Sequence, residues 1–205
     1  MFKISTAFLT YFVALSSIGL IAQGSDIKNK MERIKSERLN SGYEPWNLCY
    51  VDGILDTQTV TDSLSGFSIL VPDSHNLNLY EKDGFNIMQY KPKEETSKSD
   101  IVMEIWVKPN DLNKLENTFD KAITLLLQKK IPFRIGTQEI NGALTYWIES
   151  YHGKNRNDKF WEVTFYSKQP ISKSTILIKQ KSFKKKRYHQ DFCLYGSLIR
   201  NLKWQ

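Results

Sequence analysis

Residues 101–109 read Ile-Val-Met-Glu-Ile-Trp-Val-Lys-Pro, and the parsing of the whole chain turns on this stretch. Ile101, Met103, Ile105 and Val107 recur at every second position, the period of a strand with one buried face, and Pro109 closes the run. The period then changes. Leu115, Phe119, Ile123, Leu126 and Leu127 fall at helical spacing through Lys130, with Pro132 just beyond. A one-sided strand followed by a one-sided helix calls for a sheet with a helix laid upon it.

The same alternation appears on both sides of this pair. Upstream, Phe67, Ile69 and Val71 stop at Pro72, and Asn86 to Tyr90 forms a second strand before a polar loop from Lys91 to Asp100. Downstream, strands are expected over Leu144–Tyr151, Phe160–Ser167 and Ser174–Gln180. Asn141-Gly142 marks a turn, and residues 153–157 suit an antiparallel hairpin. A last helix is expected from Arg187, with Phe192, Tyr195, Ile199 and Leu202 on one stripe, ending near Trp204. Ile27, Met31 and Ile34 place a short amphipathic helix between Ser25 and Asn40, capped by Ser25 or Asp26. Together these elements predict an α+β chain whose mainly antiparallel sheet is packed between helices.

The chain of 205 residues, 40% hydrophobic, fits one ordinary domain and is too apolar to remain disordered. Residues 1–24 read as a secretory signal peptide: Lys3, an apolar stretch from Phe8 to Ile21, then Ala22-Gln23-Gly24 with cleavage before Ser25. An uncleaved membrane anchor is the alternative. The expected division is a signal peptide over 1–24, an N-terminal helix and lead-in over 25–63, and the main domain over 64–205. The mature protein is then exported, periplasmic or secreted. In that setting Cys49 and Cys193 most simply form one disulfide closing a long loop; the alternative is two buried thiols.

Motifs for catalysis are absent: no GxSxG, HExxH, GxGxxG, phosphate-binding glycine loop or EF-hand loop. His75, His152 and His189 fall in or beside expected loops without metal-ligand spacing, so no metal or cofactor is expected. Two features stand out. On alternating strands, Glu104, Trp106 and Lys108 share one side. Thr145, Trp147, Glu149 and Tyr151 share a side of a second strand, and Phe160, Glu162, Thr164 and Tyr166 a side of a third. Were these faces the same, three carboxylates among aromatic rings would suit a sugar or a cationic ligand. Packing of that face beneath a helix is the plainer alternative.

The second feature is charge. From Ser167 to Gln190 there are eight cations and no acid, which exceeds the net +7 of the whole chain. The run Lys184, Lys185, Lys186, Arg187 would meet an acidic partner, a polyanionic glycan or anionic lipid headgroups; export argues against nucleic acid. A solvated loop that aids solubility is the competing reading.

The heptapeptide Gly66-Phe67-Ser68-Ile69-Leu70-Val71-Pro72 resembles the opening "GFSI-x-hP" strand of the PsbP/Mog-like superfamily. A strand after a charged loop, a central helix, the Asn141-Gly142-Ala143 turn, a hairpin and a closing helix follow in the same order. The segment from Ser197 to Trp204 is similar to the ending of many members. The resemblance covers Leu64 to Trp204 and implies an α/β/α sandwich used to bind or stabilise partners, as in photosystem assembly and oxygen-evolving proteins, Ran-binding proteins and secretion chaperones. The matching positions are packing positions, so no functional residue is carried across. The expected function is an exported, non-enzymatic accessory protein that docks a protein partner in the cell envelope through Lys184–Arg187, with Trp106 and Trp147 as further binding candidates. The alternative is an envelope carbohydrate-binding or hydrolytic domain using Glu104, Glu149 and Glu162 with the two tryptophans.

Overall fold

The computed structural model describes residues 26–39, 56–73, 75–93, 102–153, 159–183, 196 and 198–205. Residues 1–24, expected to be a signal peptide, and Cys49, Cys193, His189 and the run Lys184–Arg187 lie outside the described residues.

Helix α1 (26–38) precedes five strands: β1 (Thr57–Asp62), β2 (Phe67–Pro72), β3 (His75–Lys82), β4 (Phe85–Pro92) and β5 (Val102–Lys108). Helix α2 (Leu115–Gln128) comes next, then β6 (Phe133–Ile140), β7 (Ala143–His152), β8 (Phe160–Lys168) and β9 (Thr175–Ser182). A helical turn at 198–200 leads into the short β10 (Lys203–Trp204). Seven strands form one antiparallel sheet in the order β3-β4-β5-β9-β8-β7-β6, and β1-β2-β10 form a second, smaller one.

Each face of the large sheet buries a separate core. Under α1 and α2, Met31, Phe119, Ile123 and Leu126 meet Ile135, Ile148, Tyr166 and Leu177. On the opposite face Phe67, Ile69 and Val71 of β2, with Leu198, Ile199 and Leu202, close over Met103, Ile105, Val107, Trp147, Phe165 and Ile178. The alternation read from Met103, Ile105 and Val107 is the one that builds this second core. The sheet is thus covered by helices on one side, and by the small sheet with the helical turn on the other.

Local chemistry explains the element ends. Helix α2 stops in a Schellman motif: Lys130 N donates to Leu127 O at 3.1 Å and Ile131 N to Leu126 O at 2.9 Å, with Lys130 left-handed at φ 53° and Pro132 next. Asn141 and Gly142 both take positive φ, 47° and 80°, as a two-residue hairpin turn requires.

Three sequence expectations are corrected. The last segment does not stay helical to Trp204, because Lys203 and Trp204 pair with Ser68 and Phe67 as a strand. Pairing of the small sheet starts at Thr57, ahead of the boundary placed at Leu64. His75 is no loop residue; it opens β3 and is buried.

Candidate functional site

Strand β5 turns Glu104, Trp106 and Lys108 to the face that carries α2. Register sets Glu104 between Gln89 of β4 and Lys179 of β9, and sets Lys181 of β9 opposite Glu162 of β8. The result is a grid of alternating charge beside the helix-covered core, with Glu104 and Glu162 both ion-paired to Lys181, and Lys179 of the same strand lying over the Trp106 ring.

Contacts tie the grid together. Gln89 Nε2 donates to Glu104 Oε1 at 2.7 Å, and Trp106 Nε1 donates to Oε2 at 3.0 Å. Lys181 Nζ reaches both oxygens at 3.3 Å and Glu162 Oε2 at 3.8 Å. Lys179 Nζ stands 3.5 Å from the centroid of the Trp106 ring, a cation–π distance. Glu104 is only 3% exposed. Burial pushes its carboxyl up, but the Lys181 charge and hydrogen bonds from Gln89, Trp106 and Lys181 outweigh it and hold the group below the usual range. Burial pushes the Lys179 ammonium down, with Lys181 adding to the effect and Glu162 opposing it.

At one corner of the grid, Ser150 Oγ and His152 Nε2 lie 2.8 Å apart, and His152 stacks on Phe160 with centroids 4.7 Å apart. Burial pushes the imidazole down, with Lys181 and Lys129 adding to it and Glu162 opposing. Sequence reading treated His152 as a loop histidine; its place two residues after Ser150 on one strand face was the available signal. Ser150 is itself buried, so the pair fixes the end of β7 rather than offering a nucleophile.

The other carboxylate expected here is elsewhere. Glu149 is paired across from Val163, and Val163 faces the opposite core. Glu149 therefore lies on the far side of the sheet from Glu104 and Glu162. Trp147 lies on that far side too and is fully buried, so its ring offers no surface to a ligand. Trp106 is half-buried, and the lysine above it occupies a position that a stacked sugar would need. The strand alternation was read correctly within each strand, while the parity between strands was not available from it. Among the described residues, no group of three or more His, Cys, Asp or Glu is placed to hold a metal ion. Nor is any described helix long and apolar enough to cross a membrane.

What the arrangement can do chemically is limited. An ionised, doubly hydrogen-bonded carboxylate has no proton to give, so Glu104 lacks the raised pKa of a general acid. The grid joins β4, β5, β9 and β8 rather than opening a reaction site between them.

Comparison with known proteins rests on the fold. No family model matches the chain, and no curated protein matches it in sequence. The solution structure of cyanobacterial PsbP (CyanoP) from Synechocystis sp. PCC 6803 superposes with a TM-score of 0.54, covering 79% of this chain and 100% of that one at 12% identity. The fold is PsbP/Mog-like. The Ran-binding protein Mog1p of Saccharomyces cerevisiae gives a TM-score of 0.51 over 74% of this chain and 96% of its own, at 8% identity. At such identities the PsbP/Mog-like likeness concerns backbone architecture alone.

Proposed function

We propose that this chain is an exported, non-catalytic accessory protein that docks a protein partner in the cell envelope. The observation that carries the reading is the edge of the large sheet at β3. This eight-residue strand has no strand beyond it among the described residues, and Leu77 and Leu79 are 51% and 66% exposed on one of its sides. A long edge with unpaired backbone groups and apolar side chains accepts an extended partner segment by strand addition. The basic run Lys184–Arg187 supplies attraction for an acidic partner. That Mog1p is named a Ran-binding protein supplies a precedent for protein docking on this fold. The hydrolase alternative draws little support, because Glu104 and Glu162 are ion-paired and Glu149 lies across the sheet.

The test is capture of partners from native envelope extract by the tagged chain from Ser25 onward, at low and high salt, with mass spectrometry. One stoichiometric protein should be retained at low salt and released at high salt. It should be lost with Leu77→Lys and Leu79→Lys together, and weakened when Lys184, Lys185, Lys186 and Arg187 are neutralised. Absence of any protein at either salt, or capture indifferent to all these changes, overturns the proposal.

A further inference from the structure

At one end of the large sheet, three turns each lift a large apolar side chain into solvent. Leu64 is 89% exposed in the turn from β1 to β2, Leu112 is 94% exposed in the loop from β5 to α2, and Ile171 is 80% exposed in the turn from β8 to β9. Single exposed leucines are ordinary; three on adjacent turns are not. The turns are adjacent because they are bonded to one another. Ser172 Oγ donates to Ser65 O at 3.0 Å, and Lys168 Nζ donates to Asp111 O at 2.7 Å and to Asn113 O at 2.5 Å.

Buried polar groups hold each tip in place. Ser65 N donates to Asp62 Oδ1 at 3.1 Å, just behind Leu64. Asp111 is buried and accepts from Thr175 Oγ1 at 2.8 Å and from Asn113 N at 3.2 Å, pinning both neighbours of Leu112. Ser172 N donates to Gln169 Oε1, and Gln169 Nε2 to Gln205 O at 3.0 Å, fixing the turn that carries Ile171. The apolar tips are therefore presented by a rigid base.

Beside them lies a hollow of about 500 Å³, rimmed by Lys114, Lys168 and Lys173 with Leu144 and Pro170. The nearby acids are engaged within the protein. Asp62 accepts from Ser65, Asp111 from Thr175 and Asn113, and Glu116 from the Tyr146 hydroxyl at 3.1 Å. Glu116 also lines the hollow and keeps its charge while accepting from Tyr146, so three lysines against one carboxylate leave the hollow net positive beside the apolar tips.

We infer that this end of the molecule is a docking surface for an anionic phospholipid membrane, with Leu64, Leu112 and Ile171 entering the interface and the lysine-rimmed hollow receiving a phosphate headgroup. Separate prongs set among serines and asparagine suit a deformable lipid boundary better than a rigid protein surface, which would need a matching pit for each. Apolar insertion and lysine attraction are the two signals that stable peripheral binding requires. The surface is distinct from the β3 edge, so it goes beyond the partner-docking reading.

The experiment is flotation of the chain from Ser25 onward with phosphatidylcholine vesicles, with and without phosphatidylglycerol, across a salt series. The protein should float with the phosphatidylglycerol vesicles and remain behind with phosphatidylcholine alone. Affinity should fall about tenfold for each of Leu64→Ser, Leu112→Ser and Ile171→Ser. Lys114→Glu with Lys173→Glu should abolish the salt-sensitive part. Free glycerol phosphate should compete weakly, because it lacks the bilayer that the prongs enter. Circular dichroism checks that the variants fold, and their capture of the protein partner should be unchanged, which separates this surface from the other. Failure of the unaltered chain to float with phosphatidylglycerol vesicles overturns the inference, and so does equal flotation of the triple serine variant.

Discussion

The indole of Trp147 lies directly against the backbone of Gly136, its partner across β6 and β7. A methyl group built on Gly136 would stand 2.7 Å from Nε1 and closer still to Cε2 and Cζ2. No side chain other than hydrogen fits there while the tryptophan keeps its place in the core. Gly136→Ala should therefore destabilise the fold by about 1–3 kcal/mol, read as a lower urea midpoint. In a Trp147→Phe background the same change should cost less, and an equal cost would show that the strain lies elsewhere.

Glu104 gives a prediction with a pH signature. Its folded-state carboxyl is held below the usual range, so its contribution is fully present above the ordinary carboxylate pKa. That contribution fades as pH falls through the lowered value. Glu104→Gln should cost about 1–3 kcal/mol at neutral pH, because Lys181 loses its main partner in a half-buried site. The urea midpoint of the variant should also fall less steeply on acidification than that of the parent. Parallel acid limbs for the two would count against the pair.

Asp111 anchors the loop before α2 through Thr175 and Asn113, with Lys108 Nζ 3.6 Å away. Burial pushes its carboxyl up, yet hydrogen bonds from Thr175 and Asn113, with the Lys108 charge, hold it below the usual range. Asp111→Ala should lower stability by about 1–3 kcal/mol and speed amide exchange in residues 110–114. Protection of those amides at parental levels would refute the anchoring role.

Asn141 does two jobs that substitutions can separate. It adopts φ 47°, and its Nδ2 donates to Leu202 O and to Arg200 O at 3.4 Å, tying the hairpin turn to the C-terminal segment. Asn141→Gly keeps the turn and loses the tie, at about 1 kcal/mol. Asn141→Ala adds the left-handed strain and should cost about 1–2 kcal/mol more. Equal midpoints for the two variants would show that the turn conformation is not under strain.

Strands with a buried face were legible because their code is local. Met103, Ile105 and Val107 announce a pleated surface without reference to any other segment. Strand β1 reads Thr-Gln-Thr-Val-Thr-Asp and β3 reads His-Asn-Leu-Asn-Leu-Tyr-Glu-Lys; both are sheet edges with mostly solvated side chains, so no apolar alternation marks them. Lys203 and Trp204 follow Ile199 and Leu202 at helical spacing, and only their distant partner Phe67 makes them a strand. The candidate site failed to assemble for a related reason. Periodicity tells which side chains share a face of one strand, whereas the pairing of Glu149 with Val163 decides which face of the sheet that is. Lys181, read from sequence only as a member of a basic stretch, turns out to be the counter-ion of both carboxylates, and Lys179 lies over Trp106.

The strand order β3-β4-β5-β9-β8-β7-β6 consists of two meanders, each made of neighbours in sequence, joined at a single seam between β5 and β9. Each meander can zip from its own hairpins, but the seam must bring 102–108 to 175–182 across the intervening helix and three strands. Closing that joint dominates the entropic barrier to folding, so the chain should fold slowly for its size. Glu104 and Lys179 face each other on that joint, and sliding it by two residues would set Glu104 against Leu177 or Lys181 in place of Lys179. The charge grid thus penalises the slip toward Leu177, which sets Glu104 against an apolar side chain, while the slip toward Lys181 keeps a cation opposite it.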